Sequence, residues 1–123
     1  DVPVVVRSSQ PGRFAVVHDP LDGSSNIDAG IPVGTIFGIY PCIAGPLVMQ
    51  KANASEGEAS CMQPGERLRA AGYAVYGART DLVLTWLGED GIGRGTHVFA
   101  LDRRTGDFIL TREQCRIPQR YDP

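Results

Sequence analysis

The sequence predicts an α/β layered piece with local antiparallel pairing, and three features predict it. Short apolar runs of strand length recur, several of them closed by Gly, Pro or Asp. One stretch, Glu66-Arg67-Leu68-Arg69-Ala70-Ala71, reads as a helix after Pro64-Gly65. Two apolar runs flank Arg103-Arg104-Thr105-Gly106-Asp107, the composition of a hairpin turn.

In chain order, Val2 to Val6 is a β-branched run that Pro3 assigns to a sheet edge or a strand start. Ser8 to Gly12 reads as a turn. Phe14 to Val17 suits a short buried strand, which Asp19-Pro20 is expected to end. Thr35 to Tyr40 is the next strand, interrupted by Gly38. Pro46-Leu47-Val48-Met49 covers apolar surface, and Asn53 to Glu58 reads as an exposed loop. Asn53-Ala54-Ser55 matches a glycosylation triplet, a short motif that also needs a secretory route. On the predicted helix Leu68, Ala71 and Val75 fall near one face, and Gly72 permits close packing. Asp81 to Leu87, Val98 to Leu101 and Phe108 to Leu110 complete the strands.

Composition excludes several function classes. Lys and Arg number 12 against 14 Asp and Glu, without a basic stripe, which argues against a nucleic-acid partner. No apolar run reaches the length of a membrane helix, so no membrane partner is expected. Cys42, Cys61 and Cys115 are an odd number and cannot all pair within the chain, unlike a secreted disulfide framework. With two separated histidines and no Cys-x-x-Cys, a zinc cluster is not expected either. The chain opens Asp1-Val2-Pro3 without an initiator Met, and the expectation is an internal piece of a longer protein or a processed one.

The chemistry concentrates in Asp19-Pro20-Leu21-Asp22-Gly23-Ser24-Ser25-Asn26. Two carboxylates three residues apart follow a strand. In an extended run they would face opposite sides, and the intervening Pro-Leu offers a bend that lets both converge. Hard Mg²⁺ or Mn²⁺ ions take oxygen ligands. Asp19, Asp22 and the Leu21 carbonyl supply that class of donor. Gly23 allows close approach to a ligand, and successive amides at the start of a helical turn, with the Ser24 and Ser25 hydroxyls, form a phosphate cradle. Metal and phosphate together are what phosphate-ester hydrolysis needs.

That octet, with Ile27-Asp28, Val33-Gly34-Thr35-Ile36-Phe37-Gly38-Ile39-Tyr40, Gln63-Pro64-Gly65, Ala70-Ala71-Gly72-Tyr73-Ala74-Val75-Tyr76-Gly77, Asp102 and Gly106-Asp107-Phe108-Ile109-Leu110, resembles the class I fructose-1,6-bisphosphatases from Arg13 to Pro118. The octet alone marks the wider lithium-sensitive, magnesium-dependent phosphatase superfamily. The resemblance implies a layered sugar-phosphatase fold with mixed sheets, present here as a partial segment. Residues 1–123 would span the end of the N-terminal layer and part of the following one. It implies that Asp19, Leu21 and Asp22 ligate metal, with Asp19 bridging ions, and that Gly23, Ser24, Ser25 and Asn26 hold the substrate phosphate. About two or three Mg²⁺ ions, or Mn²⁺, would activate the attacking water. The expected reaction takes fructose 1,6-bisphosphate to fructose 6-phosphate and phosphate, in a homotetramer, in cytoplasm or chloroplast.

The family also places a Glu-Glu pair upstream, a further metal-binding Glu downstream, and most of its sugar-gripping residues beyond Pro123. The segment alone is therefore expected to be inactive. Arg13 and Phe14 resemble positions at the family's AMP site. Cys42 and Cys61 fall near a regulatory disulfide of photosynthetic relatives and are the redox candidates. Among the remaining residues, Glu56 and Glu58 read as a solvated face and Asp28 as a turn or cap. Tyr73 and Tyr76, at helix-like spacing, read as packed side chains, and His18 and His97 as core or interface residues. The alternatives are a sedoheptulose-1,7-bisphosphatase, which Tyr76-Gly77-Ala78-Arg79-Thr80 favours, and a non-catalytic truncated assembly module.

Overall fold

The computed structural model describes residues 14–43 and 59–117. The features expected at Val2–Val6, Ser8–Gly12, Pro46–Met49 and Asn53–Glu58, and residues Arg13, Glu56 and Glu58, lie outside those residues. The described strands are β1 (Phe14–Asp22), β2 (Val33–Pro41), β3 (Ala70–Tyr76), β4 (Thr80–Leu87), β5 (Gly93–Asp102) and β6 (Asp107–Arg112). They neighbour one another in chain order in a six-stranded sheet. A 3-10 helix, Ser24–Ala29, connects β1 to β2, and a second, Gly65–Arg67, precedes β3.

Contacts divide the described chain into two compact units, 14–18 with 37–43 and 59–71, and 19–36 with 72–117. The first unit contains the buried positions: Gly38, Tyr40 at 9% exposure and Ser60 at 2%. Gln63 acts as a clip there. Its Nε2 donates to the Pro41 carbonyl at 2.8 Å and to the Ser60 carbonyl at 2.7 Å, satisfying two main-chain acceptors with one amide.

The helix expected over Glu66–Ala71 does not form. Three residues, Gly65–Arg67, make a 3-10 turn, closed by the Arg67 N–H on the Pro64 carbonyl (2.9 Å). Leu68 then turns extended (ψ 133), and the Arg69 N–H bonds the Ile39 carbonyl at 2.8 Å. Ala70-Ala71-Gly72-Tyr73-Ala74-Val75-Tyr76 becomes β3 instead. Helix propensity of Ala and Arg is worth tenths of a kcal/mol per residue, which sheet pairing readily overrides.

The second unit holds two hairpins. β4 and β5 are antiparallel with Leu82 opposite Phe99 and Leu84 opposite His97, and the register slips between Thr85 and Leu87. β5 and β6 are antiparallel with Phe99 opposite Leu110 and Asp102 opposite Asp107. The hairpin turn expected at Arg103–Asp107 is present. The Gly106 N–H reaches the Asp102 carbonyl at 2.7 Å, and Asp102 Oδ1 accepts from the Arg104 N–H at 2.8 Å. His97 is half-buried. Its Nε2 lies 2.8 Å from the Arg94 carbonyl oxygen, and its ring packs 5.0 Å from that of Trp86. His18, expected in a core or interface, is exposed.

Candidate functional site

The strand expected to stop at Asp19-Pro20 continues as β1 to Asp22. Proline lacks an N–H and is tolerated in sheets at edges. Among the described residues β1 ends the strand order, the kind of position where a sheet tolerates proline. Across the acidic segment the backbone is tied down at one peptide group. Asp19 Oδ1 accepts from the Leu21 N–H at 3.1 Å, and the Pro20 carbonyl accepts from Thr35 Oγ1 at 2.9 Å. Thr35, on β2, also lies 2.7 Å from the Tyr76 hydroxyl at the end of β3.

After Asp22 the chain turns sharply. Gly23 adopts φ 77, the left-handed region where a Cβ is strained, and its carbonyl accepts the Asn26 N–H at 2.9 Å. That bond commits the Asn26 main-chain N–H to the turn. Ser24 and Ser25 stand exposed in the first turn of the 3-10 helix, and Asp28 lies within the same helix. Gly30 closes it in the left-handed conformation.

An open cavity of about 250 Å³ lies beside this turn, walled by Asp22, Gly23, Asn26, Val33, Gly34 and Tyr73 among others. Thus Asp22, Gly23 and Asn26 share one concavity. Asp19 and Leu21, joined by the 3.1 Å bond, are not among the residues that line it. No group of three or more His, Cys, Asp or Glu residues that could hold a metal occurs among the described residues. The donors present are all oxygens, carboxylate and main-chain carbonyl, which suits Mg²⁺ or Mn²⁺. Alone they would fill only part of the shell of about six oxygens that such an ion takes.

Tyr73 and Tyr76 stand on β3, not on a helix face, and are 45% and 40% exposed. Tyr73 lines the cavity and Tyr76 reaches Thr35. Sequence reading missed Thr35 and misread both tyrosines. Their contacts depend on which strand lies beside which, and no local motif carries that.

Cys42, Cys61 and Cys115 are free, partly buried thiols. Burial, and then the charge of Cys61, push the Cys42 thiol above its ordinary value.

A family description, fructose-1-6-bisphosphatase, N-terminal domain, matches residues 1–113. The chloroplastic fructose-1,6-bisphosphatase of Oryza sativa subsp. japonica is 45% identical over 127 aligned residues, covering 97% of this chain and 29% of that protein. The corresponding protein of Spinacia oleracea is 44% identical with the same coverage. Among solved structures, Leishmania major fructose-1,6-bisphosphatase in apo form superposes with a TM-score of 0.75 at 39% identity, over 89% of this chain and 33% of that one. The holo form gives the same TM-score. The chain belongs to the fructose-1,6-bisphosphatase family. The partial, layered α/β sugar-phosphatase fold expected from the sequence holds. The chain spans 29% of the length of these curated relatives.

Proposed function

We propose that the protein carrying this chain hydrolyses the 1-phosphate of fructose 1,6-bisphosphate, giving fructose 6-phosphate and inorganic phosphate. The observation that supports it most is the junction at Asp22 and Gly23, where the end of β1 passes into the 3-10 turn beside one cavity. Asp22, Gly23 and Asn26 wall a single cavity, and Asp19 is tied to Leu21 beside them. In this reading Asp19, Asp22 and the Leu21 carbonyl hold divalent metal, and Gly23, Ser24, Ser25 and Asn26 hold the phosphate being transferred. When bound, Mg²⁺ or Mn²⁺ lowers the pKa of a water and neutralises charge on the phosphoryl group. The chain's own part is to keep carboxylates and amides preorganised around that centre.

The segment by itself is proposed to be inactive, because two carboxylates and one carbonyl leave a hard cation undercoordinated by protein. The reading also includes a homotetrameric parent, and a position for this chain across the end of the first layer and part of the next. A plastid location is supported by the chloroplastic relatives. The test is phosphate release from fructose 1,6-bisphosphate by the complete polypeptide, with Mg²⁺ and with EDTA. Turnover should need Mg²⁺ and vanish in Asp19→Asn/Asp22→Asn. Equal turnover in that double variant would end the proposal. Faster release from sedoheptulose 1,7-bisphosphate would move the specificity to that sugar, and turnover by the isolated 123-residue chain would overturn its inactivity.

The reading also includes a redox role for Cys42 and Cys61, both free and partly buried thiols. Diamide should take two electrons and two protons from the pair and leave a Cys42–Cys61 disulfide. Peptide mapping that finds no such link would remove this role.

A further inference from the structure

The Pro20–Leu21 peptide group is held from both ends. Its carbonyl accepts from Thr35 Oγ1 at 2.9 Å, and its N–H donates to Asp19 Oδ1 at 3.1 Å. A carbonyl has no proton to give, so the single proton of the Thr35 hydroxyl lies on that bond. The 2.7 Å contact between Thr35 Oγ1 and the Tyr76 hydroxyl must then be donated by Tyr76. The result is a directed relay, Tyr76 O–H to Thr35 Oγ1, then Thr35 O–H to the Pro20 carbonyl. Donation into a hydroxyl strengthens that hydroxyl as a donor in turn.

We propose that Thr35 and Tyr76 are positioning residues of the metal-binding segment. By fixing the Pro20–Leu21 peptide plane they set both the Asp19 carboxylate, through the Leu21 N–H, and the direction in which the Leu21 carbonyl leaves the next peptide. The proposal rests on the reading of Asp19, Leu21 and Asp22 as metal ligands. Proline sharpens the requirement. With no N–H of its own, residue 20 can be held only through its carbonyl. The relay originates on β2 and β3, so the sheet, not the loop, supports the ligand geometry. Outer partners that orient ligands in this way commonly change metal affinity by about 10–100-fold when removed.

The experiment is Mn²⁺ binding to the complete protein, followed by the EPR signal of free Mn²⁺, with melting temperature measured on the same samples. Thr35→Val keeps the side-chain shape and removes the hydroxyl, and it should weaken Mn²⁺ binding about tenfold. Thr35→Ser should restore it to within about twofold, because the donor returns. Tyr76→Phe should give a smaller loss, about threefold, since Thr35 still donates but is no longer polarised. A role in folding alone would move the melting temperature without this graded order of affinities. Should Thr35→Val fail to fold, Thr35→Ser and Tyr76→Phe carry the decision. Unchanged Mn²⁺ affinity in Thr35→Val and Tyr76→Phe, beside a clear loss in Asp19→Asn/Asp22→Asn, overturns the relay while leaving the metal ligands standing. If that double variant keeps full Mn²⁺ affinity, the ligand assignment fails and the relay fails with it.

Discussion

Gly34 on β2 gives the sharpest test of how the candidate site is packed. A Cβ placed there would sit 2.5 Å from the Ala74 carbonyl oxygen on β3. A normal separation is roughly 3.5 Å, so the two strands would have to part locally by about 1 Å. The obstructing atom is backbone and cannot rotate away. Overpacking of this kind costs about 1–3 kcal/mol. Replacing Gly by Ala inside a strand returns about 0.5–1 kcal/mol of backbone entropy, too little to cancel the clash. Gly34→Ala should therefore lower stability by about 1–2 kcal/mol, read from urea midpoints at constant m-value. The melting temperature should fall by at least about 4 °C. Gly23→Ala is the comparison. Its Cβ would meet nothing nearer than Asn26 Nδ2 at 3.5 Å, so its cost is confined to the left-handed φ of 77. That strain is about 1 kcal/mol. A neutral or stabilising Gly34→Ala would show that β2 and β3 do not approach as described, and would remove the wall of the cavity that Gly34 and Ala74 share.

Two further outcomes follow from the first unit. Gln63→Leu removes both donations to Pro41 and Ser60 and strands two carbonyls, and should cost about 2 kcal/mol by urea denaturation; a loss below a few tenths would mean water replaces the clip. For Cys42, burial first and Cys61 second raise the thiol pKa. Cys61→Ser should lower it part of the way, so iodoacetamide labelling of Cys42 at mildly alkaline pH should quicken, by less than about tenfold because burial remains. An unchanged labelling rate would place the two thiols out of reach of each other. The sign for folding is the reverse of that of an ion-paired carboxylate, whose pKa is lowered in the folded state. The folded state disfavours the thiolate, so Cys42 takes stability away as pH rises past its unfolded value toward its raised folded one.

Much of this protein was legible in sequence because it is written locally. The octet Asp19 to Asn26 carries its own chemistry: oxygen donors, a glycine in the left-handed region, hydroxyls and a turn. The strands expected at Asp81–Leu87, Val98–Leu101 and Phe108–Leu110, and the turn between the last two, lie within β4, β5 and β6, while Gly93–His97, the glycine-containing first half of β5, carries no such run and is not expected from sequence. β6 carries large apolar residues on both faces, with Phe108, Ile109 and Leu110 all more than 40% exposed. Alternate side chains point to opposite faces, so both faces of that strand are apolar, the pattern of a sheet covered on two sides.

What tertiary structure decided was everything set by neighbours distant in the chain. Glu66–Ala71 has the residues of a helix, yet a bond from the Arg69 N–H to Ile39, 30 positions earlier, goes with its pairing as a strand. Pro20 reads as a strand terminator, and an edge position lets the strand run on to Asp22. In sequence Thr35 is a strand residue with no assigned role, and Tyr76 reads as a packed side chain at helix-like spacing. They become partners of the acidic segment only because β2 and β3 bring their hydroxyls within 2.7 Å of each other and Thr35 within reach of the Pro20 carbonyl. Local composition determines which chemistry a segment can offer. Pairing between strands supplies the hydrogen bonds that hold this chemistry in place, and those bonds join residues that no short motif connects.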